Sequence, residues 1–152
     1  MAEKILIQNR KALFDYEILE RFEAGLILKG HEIKALRTQN GNLKGSYISN
    51  IGEKLTLCKL YIPRYRFASI ENYEPARPRL LLLKKSECAR ILATLKQKGI
   101  TCVPLDIHLK NNRAKATIAI ARGRKKHDKR ELLKNRSTDR EIKRVLKQTM
   151  LR

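Results

Sequence analysis

His127 and Asp128 stand side by side in the run His127-Asp128-Lys129-Arg130. A histidine beside a carboxylate is the pairing that general acid–base catalysis uses. Nothing else in the chain completes such a site. Adjacent residues rarely converge on one substrate atom, and a highly charged, mobile segment does not hold groups to catalytic tolerance. There is no Gly-rich phosphate loop, no His-Glu-x-x-His and no Gly-x-Ser-x-Gly. Cys58, Cys88 and Cys102 are widely spaced, with no Cys-x-x-Cys pair among them. Reduced thiols are therefore expected, with no zinc, no other metal and no cofactor. His108 lies in an alternating apolar segment and reads as structural. Glu32, in the basic company of Lys34 and Arg37, admits two readings. It is a solvated helix residue making weak pairs, or it accepts from a base edge or ribose hydroxyl, or orients an arginine that reaches one.

What the chain offers in quantity is positive charge. Thirty-five Lys and Arg face fifteen Asp and Glu across 152 residues, a net +20 and a pI near 10.3. From Arg122 to Arg152, thirteen Lys and Arg stand against four Asp and Glu. Such a polycation is matched by a polyanion, because neutralising phosphates releases condensed counterions. All eight Phe and Tyr lie between Phe14 and Tyr73. Base stacking is thus expected from the body of the protein, at Tyr65, Phe67 or Tyr73, and not from the tail. Phe14, Phe22 and Tyr47 read as core.

The elements that must position these groups are short. Tyr16 to Leu28 looks like strand material broken by a turn near Glu23-Ala24-Gly25. His31 to Leu36 reads as a short helix, with Ile33 and Leu36 on one face. Tyr47–Ile51 and Leu55–Ile62 form a hairpin around Gly52. Pro63 to Pro78 is a Pro- and Arg-rich loop. Ser86 to Lys98 is an amphipathic helix stopped by Gly99. Ile100–Lys110 and Ala114–Ala121 are closing strands joined at Asn111-Asn112-Arg113. The fold class is therefore mainly β. Short strands separated by turns favour a small closed barrel of the oligonucleotide-binding type, with flanking short helices. Residues 1–122 form this domain, and 123–152 form a basic C-terminal tail. No apolar run spans a bilayer and the first residues lack a signal-peptide pattern, so a cytoplasmic address with no membrane partner is expected.

Self-repulsion predicts a tail disordered when free. Thr138 with Glu141 matches a capping box, and Ile142, Val145, Leu146 and Met150 share one helical face. A helix there is expected to form on a surface that neutralises Arg140, Lys143, Arg144 and Lys147.

Several segments together resemble one bacterial family. They are Asn9-Arg10-Lys11-Ala12, Gly30-x-Glu32-Ile33-Lys34-x-Leu36-Arg37, Asn42-Leu43-Lys44, Arg77-Pro78-Arg79, Lys110-Asn111-x-Arg113-Ala114-Lys115, Ala121-Arg122-Gly123-x-Lys125 and His127-Asp128-Lys129-Arg130. The pattern is similar to small protein B, the SsrA (tmRNA)-binding family, nearly end to end. Leu80 stands where many members carry Lys, and Asn112 where they carry Gly. The resemblance implies an oligonucleotide-binding-type barrel that binds the tRNA-like domain of tmRNA and delivers it to stalled ribosomes for trans-translation. It implies no enzymatic activity. Glu32, Lys34, Arg37 and Asn42 then belong to the RNA-binding region. Arg10, Lys11, Lys44, Arg77, Arg79, Arg113, Lys115, Arg122 and Lys125 are the basic residues expected to hold phosphates around it. His127, Asp128, Lys129 and Arg130 are implied in function on the ribosome, where the tail would fold in the empty mRNA channel near the decoding centre. An integral ribosomal protein shares this size and charge, and an RNA-processing enzyme using His127 and Asp128 is a weaker alternative.

Overall fold

The structure is a computed structural model, and residues 3–150 are described. Met150 of the expected apolar stripe lies outside the described side chains, and Arg152 of the cationic run lies outside the described residues. Seven antiparallel strands form one sheet in the order β1-β6-β7-β2-β5-β4-β3. They are β1 Lys4–Gln8, β2 Tyr16–Leu26, β3 Tyr47–Ile51, β4 Lys54–Cys58, β5 Arg79–Leu82, β6 Ile100–Lys110 and β7 Arg113–Gly123. Four helices accompany them: α1 Arg10–Asp15, α2 Gly30–Gln39, α3 Lys85–Leu95 and α4 Lys126–Met150. The sheet curls until β3 lies beside β6. Among the described residues no ladder joins the two, so the sheet is curled and open where the sequence suggested a closed barrel. No helix of the described residues is long and apolar enough to cross a membrane.

The long strands β6 and β7 carry the frame. Their side chains alternate between two cores, as a pleated strand requires. Ala114, Ala116, Ile118 and Ile120 join the main core with Leu36, Leu57, Leu60 and Ile91. Ala119 and Ala121 face the other way, where Ala12 of α1 seals a smaller cluster with Val103 and Leu105. The β6–β7 turn is Asn111-Asn112, both at positive φ (53° and 61°). That is the geometry a two-residue hairpin needs, and asparagine tolerates it. Pro104 sits in an interior strand, where a missing N–H would break a ladder. A register shift between Pro104 and Asp106 absorbs it.

Asn9 caps α1. Its Oδ1 accepts the Ala12 N–H at 3.2 Å, and its Nδ2 donates to the Pro104 carbonyl at 2.9 Å. One side chain thus starts a helix and pins it over the Pro104 bulge. One local expectation changes: β2 runs unbroken through Glu23-Ala24-Gly25. Ala24 is fully buried there, and β7 pairs with the strand through Gly25, so the ladder overrides the local turn signal.

Gly41 is required by close approach. A Cβ there would stand 2.7 Å from the Tyr61 carbonyl oxygen and 2.8 Å from the side chains of Ile7 and Leu36. Gly41→Ala is expected to cost about 1–3 kcal/mol, read as a lower midpoint in urea unfolding with the slope unchanged.

Candidate nucleic-acid interface

Glu32 organises the site, and it is fully buried. Helix α2 turns Glu32, Ala35 and Leu36 inward, at the i, i+3, i+4 spacing of a buried face, and leaves Lys34, Arg37 and Thr38 outside. The inward carboxylate meets two arginines, Arg79 at the start of β5 and Arg77 just before it. Arg79 donates from Nε to Oε2 at 2.9 Å and from Nη2 to Oε2 at 2.6 Å, while Arg77 Nη2 donates to Oε1. The Lys29 N–H adds a bond to Oε1 at 2.9 Å. Arg79 is itself fully buried, and its remaining donors reach the carbonyls of Leu60 and Pro75. Burial by itself would raise the Glu32 pKa. The hydrogen bonds from Arg77, Lys29 and Arg79 outweigh it and hold the carboxyl below its ordinary value of 4.5.

Direct contact of Glu32 or Arg79 with a ligand is therefore corrected. Both side chains have no exposed surface, and both are occupied. Their work is support. Arg77 is the member that reaches the surface, with 26% of its side chain exposed. Asn42 is exposed, and its Oδ1 is bound by the Lys44 N–H at 2.8 Å, which shapes the turn before β3.

Around this anchor lies a basic and aromatic rim. Gln39 clamps the 63–78 loop to the end of α2: its Nε2 donates to Arg64 O at 2.9 Å, and its Oε1 accepts from the Arg66 N–H at 2.8 Å. The clamp brings Tyr65 under the Lys34 ammonium, 6.0 Å from the ring centre. Phe67 packs edge-on against Tyr65 at 5.6 Å and is 80% exposed. Arg66 lies over the Phe67 ring at 6.0 Å. Tyr73, equally a candidate from sequence, is instead structural: its hydroxyl donates to Ile62 O at 2.8 Å and its ring meets His31. Exposed Arg64 and Arg66 thus flank the Phe67 ring, with exposed Lys34 over its neighbour Tyr65 and exposed Arg37 on the same helix. Gln39 was not legible as a clamp, because its partners lie 25 and 27 residues away.

The other expected residues form separate patches. Exposed Lys11 of α1 shares a cleft with Gly45, Ser46 and Tyr47, one residue beyond exposed Lys44, and Arg10 is also exposed. Exposed Arg113 and half-buried Lys115 sit at the β6–β7 hairpin with Glu23 and Lys110. Arg122, Lys125, His127 and Asp128 line a cleft with Glu17 at the base of α4. His127 is 79% exposed and pairs with Glu131 at 3.3 Å within its own helix, a geometry that fixes no reacting group.

The base of α4 is docked on α1. Lys129 pairs with Asp15 at 3.3 Å and lies 5.9 Å over the Phe14 ring, and Arg136 lies 6.0 Å over the same ring. Arg124 donates its N–H to Asp15 O at 2.8 Å and its Nε to Tyr16 O at 3.2 Å. Phe14, expected in the core, is a platform for tail cations. The α4 helix begins well before Thr138, whose hydroxyl donates back to Lys134 O at 3.0 Å inside the helix, so the expected capping box is absent. Arg140, Lys143, Arg144 and Lys147 are exposed, as are Ile142 and Leu146.

Glu32→Ala leaves buried Arg79 without its counter-charge, and a loss of about 3–5 kcal/mol is expected in denaturant unfolding. The pH dependence has a definite sign. A carboxyl with a lowered folded-state pKa stabilises fully above its unfolded value and loses that contribution as pH falls through the folded one. The stability gap between the native chain and Glu32→Gln is therefore expected to narrow on acidification below 4.5. A gap that widens in acid contradicts the charged, paired carboxylate.

Comparison with known proteins agrees with this geometry. The family model described as SmpB protein matches residues 6–148. The SsrA-binding protein of Bdellovibrio bacteriovorus is 45% identical over 151 residues, covering 98% of this chain and 99% of that one. The SsrA-binding protein of Bartonella henselae is 48% identical over 145 residues, covering 95% and 92%. A chain of the solved structure "tmRNA-SmpB: a journey to the center of the bacterial ribosome" superposes with a TM-score of 0.66 at 44% identity, over 79% of this chain and 85% of that one. With the curled sheet, the arginine-clamped helix and the basic tail in place, this chain belongs to the SmpB family.

Proposed function

We propose that this chain is an RNA-binding adaptor of the cytoplasm that grips the tRNA-like domain of tmRNA and carries it to stalled ribosomes for trans-translation. The observation that supports this reading best is the rim on α2 and the 63–78 loop, where Lys34 lies over Tyr65 and Arg66 over an almost bare Phe67 ring. Cations position phosphates, and a naked ring takes an unstacked base. RNA presents both in its loops. Binding energy and geometry do the work, with no bond made or broken by the protein.

The body and tail divide the task in this reading. Lys34, Arg37, Arg77 and the loop hold the folded RNA, with Arg10, Lys11, Lys44, Arg113, Lys115, Arg122 and Lys125 as outlying phosphate contacts. The curled sheet acts as an oligonucleotide-binding-type barrel. The tail, from 123 on, is held to the body at its base by Asp15 and Phe14. Beyond that base it is a ribbon of exposed cations with Ile142 and Leu146 on the surface. Such a ribbon, already helical over Lys126–Met150, is held where ribosomal RNA neutralises it, in the mRNA channel when no message fills it.

Filter binding of the full chain to the tRNA-like RNA tests the division. Arg37→Ala and Phe67→Ala are each expected to weaken binding by about 1–3 kcal/mol. Replacing Asp128, Lys129 and Arg130 by alanine is expected to leave that affinity nearly unchanged and to abolish peptide tagging in a stalled-ribosome assay. The reverse pattern, or no preference for this RNA over random RNA, overturns the reading.

A further inference from the structure

His108 makes an unusual demand on its surroundings. Only 4% of its side chain is exposed, and Nδ1 lies 2.7 Å from Asp106 Oδ1. That contact engages Nδ1 and leaves Nε2 as the ring nitrogen free for another partner. Nε2 is buried and makes no hydrogen bond among the described residues. It is aimed at two carboxylates: Glu23 Oε2 is 3.5 Å away, and Glu3 joins the group with all three ligand atoms within 4.8 Å of one another. The carboxylates of Asp106, Glu23 and Glu3 thus gather around one buried imidazole, and such a set attracts a cation.

We propose that His108, Glu23 and Glu3 form a site for a divalent first-row metal ion, Zn2+ being the one that suits one imidazole and two carboxylates. The Asp106–His108 pair is the carboxylate–histidine arrangement that fixes a ligating imidazole and raises its basicity. Metal–ligand bonds of about 2.0–2.2 Å set the ligand atoms roughly 3.4 Å apart. Glu3 and Glu23 are exposed enough, at 50% and 40%, to close that gap by side-chain rotation. Water completes the tetrahedron. The absence of paired cysteines, which argues against a thiolate zinc site, does not bear on this one.

The neighbourhood already recruits a cation to these carboxylates. Lys110 Nζ lies 3.4 Å from Glu3 Oε1 and 3.5 Å from Glu23 Oε1. The ammonium is held by the two carboxylates and not by Nε2, which makes no hydrogen bond among the described residues. A metal ion serves all three ligands at once and displaces Lys110. Glu3 immediately precedes edge strand β1, Glu23 lies in β2 and His108 in β6. An ion here ties the outermost strand across the sheet. The site stands on its own geometry, whatever phosphates the neighbouring Arg113 and Lys115 contact.

The test is isothermal titration of ZnCl2 into the chelator-treated full chain without RNA, followed by thermal unfolding with and without zinc. One equivalent is expected to bind and to raise the unfolding midpoint. Glu23→Gln and Glu3→Gln, both at exposed positions, are expected to weaken binding by about tenfold or more. Lys110→Met removes the competing ammonium and is expected to tighten it, while His127→Ala is expected to change nothing. Absence of binding, binding indifferent to Glu23→Gln, or binding lost in His127→Ala overturns the proposal. So does a cobalt complex with thiolate charge-transfer absorption, which places the ion on cysteine.

Discussion

A carboxylate with no exposed surface, gripped by two guanidiniums, is the constraint on which the rest of this structure depends. Burying Glu32 and Arg79 together costs several kcal/mol per ion in lost hydration. The cost is offset because the geometry leaves little unmet: Arg79 spends its donors on Glu32, Leu60 and Pro75, and Glu32 takes Arg77 and the Lys29 N–H besides. These partners come from α2, the end of the β4 segment, the 63–78 loop and β5. One ion pair therefore fixes four pieces of chain relative to one another. Arg77 carries that order to the surface, where Lys34, Arg37 and the clamped loop stand in defined positions.

The sequence announced its local features and hid its long-range ones. The Asn111-Asn112 turn, the α3 helix ending before Gly99 and the β3–β4 hairpin follow from patterns a few residues long, and the structure has all three. The partners of Glu32 lie 45 and 47 residues away, so composition left it looking like a solvated helix residue. Its burial against Arg77 and Arg79 excludes the solvated reading. The bond from Asn9 to Pro104, 95 residues on, has no local signal. Gly25 looked like a turn because glycine usually marks one. Here β7 pairs through it, and a Cβ would stand 3.2 Å from Leu82 Cβ on the opposite side. Phe14 looked like core because it is apolar, and its use as a cation platform needs a tail more than a hundred residues later.

Charge was the most legible property and the least specific. A net +20 states that the partner is a polyanion and says nothing of where it sits. The fold sorts that charge. Part is neutralised internally at Glu32, part is spent holding α4 to α1 through Lys129 and Arg124, and part is left bare on the α2 rim and along α4. Lys129 belongs to the His127–Arg130 block yet anchors the helix base. Substitutions within that block therefore act on the angle at which the tail leaves the body as well as on whatever its exposed members touch.

The double-mutant cycle of Glu32→Leu and Arg79→Met, measured by urea unfolding, probes the buried pair most directly. Each single change strands one uncompensated charge, whereas the double change leaves an apolar contact. The double variant is expected to be more stable than either single one. Penalties that simply add, within about 0.5 kcal/mol, contradict a fold built around this carboxylate and its arginine.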